Sequence, residues 1–339
     1  MGMHRSGTSA LTGVLGLLGA SHGSEVTKPS PKENPKGFFE NVAVQALNKK
    51  ILADFGSKWD DYAFRIEDHK TSSLEKYIEQ AKKILTDEFK YVSTFAIKDP
   101  RMSLLFPIWE KASLESDIDI RIVVPYRHPI EVAESLRKRN SFSLEKGILL
   151  WSNYMISILS YSKGYKTLYF NFDELLYETD RVLKDLSSFV TLPLTEMSSK
   201  KILEFLEPSL KHHNLSIQVF PEETPRFLKD LLEIIRDRDF ENSEKLDIAK
   251  SDYYQSLKFF HHPELMEEVS KASLLREEVE KLNSEISVLQ KEKKSLLEEL
   301  ETKTLEYKKV LQAAYKANEK AEARFKEREE SRRTEKITG

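Results

Sequence analysis

The sequence predicts an α/β domain, with a parallel sheet flanked by helices, followed by a long α-helical coiled coil. Three observations carry this. Short apolar strands alternate with helical segments across residues 1–263. A glycine-spaced loop at the N-terminus opens directly onto an apolar helix. A heptad seam runs through the C-terminal segment, which has no Pro beyond Pro263 and no Gly before Gly339.

The elements follow in order. Residues 7–20 are apolar and of helix length. Residues 40–54 and 74–89 have an amphipathic helical period. Phe95–Ile97 is a short buried strand, and Arg121–Val124 is a second, followed by Pro125. Helices are predicted near 129–138 and 144–161, then a third strand over Tyr165–Phe170. Further helical stretches follow near 178–190, 195–206 and 225–238. In open parallel sheets ligands sit beyond the carboxyl ends of the strands. That rule points to Lys98-Asp99-Pro100-Arg101, Arg127-His128-Pro129 and Asn171-Phe172-Asp173-Glu174.

The chain divides by composition near Pro263. Residues 265–339 hold 17 Lys+Arg and 17 Asp+Glu, whereas residues 1–264 hold all 12 Pro and all 3 Trp. The 4-3 seam runs Leu275, Val279, Leu282, Ile286, Leu289, Lys293, Leu296, Leu300, Lys303, Tyr307, Val310, Ala314, Ala317, Ala321. It lasts about seven heptads, above the usual threshold of about 3–4 for a coiled coil. Lys293 and Lys303 interrupt it, as register-setting polar residues do. The expected organisation is a globular domain over 1–263, a self-associating coiled coil over 264–325, and a charged, frayed tail over 326–339.

Composition excludes several functions. With 53 Lys+Arg against 56 Asp+Glu there is no general pull toward nucleic acid or anionic membrane. Zero Cys excludes disulfides, thiolate metal sites and Cys nucleophiles, and fits a cytoplasmic setting. No apolar run reaches the roughly 20 residues of a membrane span.

The N-terminal loop reads Gly2-Met3-His4-Arg5-Ser6-Gly7-Thr8-Ser9. Its glycines have the spacing of the nucleotide-phosphate loop, G-x-x-x-x-G-K-[ST]. N–H groups at a helix start, with the helix dipole, cradle an anion. Thr8 stands where that loop has its Lys, and the cation has moved to Arg5. An ATPase or kinase is therefore the weaker reading. A secretory signal peptide is a competing one, opposed by the polar Ser6–Ser9 run and by bulky Leu18.

Four segments in order, GMHRSGTSALTGVL, NPKGFFEN, IKDPR and VVPYRHPIEVAESL, resemble the sulfotransferases that use 3′-phosphoadenosine 5′-phosphosulfate (PAPS). The similarity is to the bacterial branch and covers residues 1–215. It implies a P-loop NTPase-like sulfotransferase fold and no metal. It also implies that Arg5, Ser6, Gly7, Thr8 and Ser9 hold the 5′-phosphosulfate. Arg127 and Ser135, eight residues apart, match the pair that holds the 3′-phosphate, the alternative being an Arg salt bridge and a solvated helix Ser. Lys98 matches the strand-end Lys that neutralises the bridging oxygen.

Relatives with a His two residues after that Lys use it as the base; here Pro100 stands there. Other relatives use a Glu from the region of Glu40, which makes Glu40 the first candidate for general base and Asp99 the second. For Glu40 the alternative is an acid complementing a helix dipole. His212-His213 falls where the family has a loop near the 3′-phosphate, and a surface loop is the alternative. His261-His262 reads as structural or exposed. Trp109, Trp151 and Tyr154 read as core. Arg137, Lys138 and Arg139 add positive field.

The expectation is sulfuryl transfer from PAPS to an acceptor hydroxyl, a saccharide by analogy with bacterial relatives. Catalytic roles fall to Arg5, Lys98 and Glu40. The alternatives are a nucleotide kinase-like protein and a coiled-coil scaffold with a degenerate front domain. Only Met1-Gly2-Met3 and His4 precede Arg5, too few for the buried strand that feeds such a loop. The sequence therefore predicts either a start further upstream or a lost strand.

Overall fold

The computed structural model describes residues 1–29, 37–206, 224–260 and 263–338. Asn34–Lys36 of the NPKGFFEN segment, Lys211, His212-His213 and His261-His262 lie outside the described residues. The chain divides into two units, Met1–Phe259 and Phe260–Gly339.

The first unit runs α1 (Thr8–Leu18), α2 (Val42–Asp54), a 3₁₀ turn (Ile66–Asp68), α3 (Thr71–Phe89), α4 (Met102–Leu114) and β1 (Ile122–Tyr126). It continues with α5 (Pro129–Asn140), α6 (Leu144–Ser162), β2 (Thr167–Asn171), α7 (Phe172–Tyr177) and α8 (Thr179–Val190). It ends with α9 (Glu196–Phe205), α10 (Arg226–Arg236) and α11 (Ser243–Phe260). The architecture is mostly helical around a small parallel sheet. β1 and β2 pair in parallel, Ile122 against Thr167 through Tyr126 against Asn171. The crossover between them is made by α5 and α6.

Local chemistry explains the element ends. Asn41 caps α2 by accepting from the Val44 N–H. Pro129 opens α5 in the first turn, where its missing N–H matters least. Asn171 and Glu174 form a capping box that turns β2 straight into α7. α1 stops at Gly19, whose φ of 110° belongs to the left-handed region.

Both faces of the sheet are covered, as parallel strands require. Ile122, Val124 and Tyr126 face one apolar cluster, shared with α2, α3, α4 and α6. Val123 and Phe170 face another, shared with α1, α7 and α8. Trp109, Trp151 and Tyr154 lie fully inside.

One predicted strand is not formed. Phe95–Ile97 makes a single parallel bridge, Phe95 with Ser21, and no ladder. Its one paired edge meets only Ser21, through Ala96 N–H to Ser21 O (2.8 Å) and Ser21 N–H to Thr94 O (3.2 Å). The sheet among the described residues thus has two strands rather than three.

The second unit is α12 (Pro263–Thr338), 76 residues and so about 114 Å long. Leu275, Val279, Leu282, Ile286, Leu289, Leu296, Leu300, Tyr307 and Val310 of its seam are each at least 50% exposed. The helix runs to Thr338, where the sequence suggested fraying after Phe325. The Glu, Lys and Arg of 326–338 are good helix formers. No described helix is long and apolar enough to cross a membrane.

Candidate functional site

The loop before α1 is built by close approach. Gly7 is the N-cap of α1 at φ 84°, and Arg5 also has positive φ, 68°. A Cβ on Gly7 would lie 2.1 Å from the ring of Phe172, the first residue of α7. Only glycine satisfies both the backbone and that contact. A Cβ on Gly2 would fall 2.5 Å from Thr8 Cγ2. The start of α1 has no side-chain cap and no acidic residue in its first turn. Its N-terminal N–H groups and dipole therefore present a positive end.

Cations gather at that end. Lys98 Nζ donates to Ser9 Oγ (3.2 Å), to Phe38 O (3.2 Å) and to Glu40 Oε1 (2.6 Å). Lys98 and Glu40 are both almost buried, 10% and 8% exposed, so their charges interact in a poorly screened setting. Gln45 donates to the other Glu40 oxygen. Glu40 does not serve the α2 dipole as a first-turn acid, since α2 has none there and Asn41 is its cap. Its carboxylate points instead at Lys98.

Asp99 is differently placed. Arg101 grips both its oxygens at 2.9 Å, and Asn48 donates to Oδ2 at 3.0 Å. Asn48 is itself oriented by Trp109, whose Nε1–H reaches Asn48 Oδ1 at 2.8 Å. Burial pushes the Asp99 carboxyl above the usual range, and the Arg101 guanidinium opposes this. Asp99 is a buried strut, with its acceptors committed to Arg101 and Asn48.

Arg127 and Ser135, the second predicted anion pair, each contact another residue. Arg5 Nε donates to Ser135 Oγ at 2.7 Å, so the loop touches α5 directly. Arg127, at the end of β1, is buried; its carbonyl accepts from Trp151 Nε1 (3.0 Å) and its guanidinium lies 5.6 Å from the Phe172 ring centre. A salt bridge was the alternative for Arg127, and the partner that sequence reasoning did not name is Glu131: Arg127 Nε donates to Glu131 Oε2 at 2.6 Å, and both are buried. The i,i+4 spacing was the available signal. Exposed Arg137 pairs with half-buried Glu134, while Arg139 lies 5.5 Å over the Trp59 ring.

His4 was also missed. Its ring lies 4.4 Å from Trp59 and 5.9 Å from Tyr154, and its Nε2 is buried with no hydrogen-bond partner among the described residues. Burial, then Arg101, Arg139, Lys98 and Arg5, hold it well below the usual histidine value of 6.5. The folded imidazole is thus neutral where the unfolded one takes a proton. Below pH 6.5 stability should fall by up to about 1.4 kcal/mol per pH unit, until the folded pKa is reached. His4→Asn should flatten that slope in urea unfolding measured from pH 7 to pH 5. An unchanged slope would refute this account of His4.

Ser6 is buried, and its hydroxyl also lacks a hydrogen-bond partner among the described residues. Thr8 and Ser9 lie on the first turn of α1, Thr8 buried and Ser9 half-buried. The structure therefore forms two contacting groups, Arg5 with Ser135 and Lys98 with Ser9 and Glu40, while Arg127 pairs with Glu131. A cavity between β1 and residues 94–98 borders the site through Thr8 and Lys98. Among the described residues no group of three His, Asp or Glu could hold a metal ion. Compared with family models, curated proteins and solved structures, the chain finds no match.

Proposed function

We propose that the first unit is a PAPS-dependent sulfotransferase acting on an acceptor hydroxyl, a saccharide hydroxyl by the analogy drawn above, and that α12 brings copies of the chain together. One observation carries the enzymatic reading. The Lys98 ammonium joins the hydroxyl of Ser9, on the anion-binding turn of α1, to the carboxylate of Glu40. A cation for the leaving group and a base for the acceptor thus meet at one point.

The chemistry needs those two groups together. The acceptor O–H proton passes to Glu40 as its oxygen attacks sulfur. The bond from sulfur to the bridging oxygen breaks, and the charge left on the phosphate is met by Lys98, Arg5 and the N–H groups of α1. Protonation of Glu40 removes the partner that holds Lys98 in the resting site. The same step therefore releases the ammonium to the leaving oxygen. Arg127 and Ser135 would take the 3′-phosphate. The former then exchanges Glu131 for a more highly charged anion.

The test is calorimetric titration with 3′-phosphoadenosine 5′-phosphate. Saturable binding is expected, with no comparable heat from ATP plus Mg²⁺. Arg127→Ala alone would leave Glu131 buried and unpaired, so the variant to compare is Arg127→Ala with Glu131→Gln. It should bind at least about tenfold more weakly, the loss of one charge-assisted contact. Preferential ATP binding would favour a kinase, and no binding of either nucleotide would leave a scaffold. In sedimentation, the full chain should be oligomeric and residues 1–263 monomeric with nucleotide binding intact. The exposed heptad seam supports the oligomer, because an apolar stripe of that length is not left in water. Its balanced Lys+Arg and Asp+Glu allow a second copy to pair without net repulsion.

A further inference from the structure

The two edges of the α12 seam differ in charge. Glu278, Glu285, Glu292, Glu299 and Glu306 directly precede Val279, Ile286, Lys293, Leu300 and Tyr307. With the seam residues at a and d of the heptad, these are five consecutive g positions. The e positions follow Leu282, Leu289, Leu296, Lys303 and Val310, and hold Asn283, Gln290, Leu297, Thr304 and Leu311. One edge is thus acidic over about 42 Å, and the opposite edge carries no charge over the same stretch. All these flanking residues are exposed.

This asymmetry separates the two ways in which a second helix can lie on the seam. In a parallel pair the g edge of each helix meets the e edge of the other. Glu278, Glu285 and Glu299 then face Asn283, Gln290 and Thr304 of the second copy, while Glu292 and Glu306 lay their methylenes on its Leu297 and Leu311. Like charges meet on neither edge. In an antiparallel pair g meets g, so the acidic row faces the acidic row of the other copy wherever the seams overlap. The Lys interruptions fit the parallel pair. A side chain at a sits beside the residue that precedes the equivalent a of a parallel partner, which brings each Lys293 next to Glu292 of the other copy. Lys303 is held by Glu299 of its own helix at 2.7 Å. In the antiparallel alignment that overlaps the whole seam, Lys293 opposes Lys303.

We propose that α12 binds a second copy of this chain in parallel and in register, and that the Glu278–Glu306 row is the feature that excludes the antiparallel pair. The proposal rests on the reading that α12 brings copies of the chain together, and adds the orientation. The attraction comes from the apolar seam, which is the same in both orientations. The acidic edge contributes no attraction in either; it acts only by repulsion in the wrong one. Its charges are exposed, so the discrimination weakens as salt rises.

The chain has no Cys, so introduced thiols report the orientation in the full-length protein. In the parallel pair Ala317 faces Ala317 and Val279 faces Val279; in the full-overlap antiparallel pair Ala317 faces Val279. A chain carrying both Val279→Cys and Ala317→Cys is oxidised mildly at low salt, and its disulfide-linked peptides are identified by mass. Links of 279 to 279 and 317 to 317 should exceed links of 279 to 317 by at least about tenfold. Adding Glu285→Gln, Glu292→Gln and Glu299→Gln should cut that excess to about threefold or less, and 1 M salt should reduce it in the parent chain, where the screening length is about 3 Å. Sedimentation before oxidation separates the two levels of failure. A monomer would overturn the association itself. An oligomer linked mainly from 279 to 317 would overturn the orientation alone. An excess that neither the Gln changes nor salt reduces would overturn the acidic row as its cause.

Discussion

Under the proposed sulfotransferase function, Lys98→Met should lower sulfuryl transfer roughly 100- to 1000-fold, the usual effect of removing one preorganised donor from a developing oxyanion. The ammonium contacts Ser9 and Glu40 together, so its loss affects both ends of the reaction. The measurement is single-turnover transfer with saturating donor. Binding of 3′-phosphoadenosine 5′-phosphate should change only several-fold, because Arg5 and the α1 N-terminus remain. Glu40→Gln should fall by a similar factor. The double variant should be little worse than either single one, as for residues that act as a unit. Full additivity would show that the two groups work independently, and normal turnover by Lys98→Met would remove Lys98 from the mechanism. Because Lys98→Met leaves Glu40 buried without its cation, thermal midpoints must be compared as well. The Lys98→Met/Glu40→Gln pair isolates chemistry from folding.

Asp99→Ala should give the largest loss of stability of any single substitution at the site, about 3–5 kcal/mol. The reason is the buried guanidinium it leaves behind. Arg101 places its NH1 on both oxygens of Asp99, and both side chains are almost wholly enclosed. Asn48 would lose an acceptor at the same time. For a domain of this size the loss corresponds to a drop in thermal midpoint of about 6–20 °C. Asp99→Asn keeps one acceptor and should lose less. Asp99→Ala paired with Arg101→Met should recover much of the deficit, since a buried ion pair replaced by apolar groups is often neutral. A single Asp99→Ala variant as stable as wild type would contradict the assignment of Asp99 as a strut, and would restore it as a rival to Glu40.

Much of the fold was legible because its signals are local. The periods of α2, α3, α6 and α8, the Asn41 and Asn171 caps and the Pro129 start all sit within a few residues of what they specify. The seam of α12 is legible for the same reason. The strand at Phe95–Ile97 was not, because a strand exists only through its neighbours and this one has Ser21 alone. α4 carries Pro107 in its interior, which obscures its bounds although Trp109 was placed on a helix, and α11 was not anticipated. At the site, Arg5, Ser135, Lys98 and Glu40 were each singled out from sequence, but Ser135 was paired with Arg127, and its contact in the structure is with Arg5. The chain from Trp109 through Asn48 to Asp99 joins residues 51 and 61 positions apart, and no local pattern announces it. His4 sits inside a motif whose glycines and cation drew the reading, and its ring partners Trp59 and Tyr154 are distant in sequence.

The Arg127–Glu131 contact gives the resting site a competitor of its own. Any anion that approaches Arg127 must replace a carboxylate already 2.6 Å from Nε. Its affinity is therefore the difference between two anions rather than the full attraction of one. A singly charged carboxylate or a sulfate ester resembles Glu131 and gains little by the exchange. A phosphate monoester, with about two charges and three acceptor oxygens, gains more. Both groups are buried, so added salt screens this contest weakly. If Arg127 takes an anion as proposed, the pair would work as a threshold on charge density: weakly charged metabolites would be turned away, and only a more highly charged anion would displace the internal one.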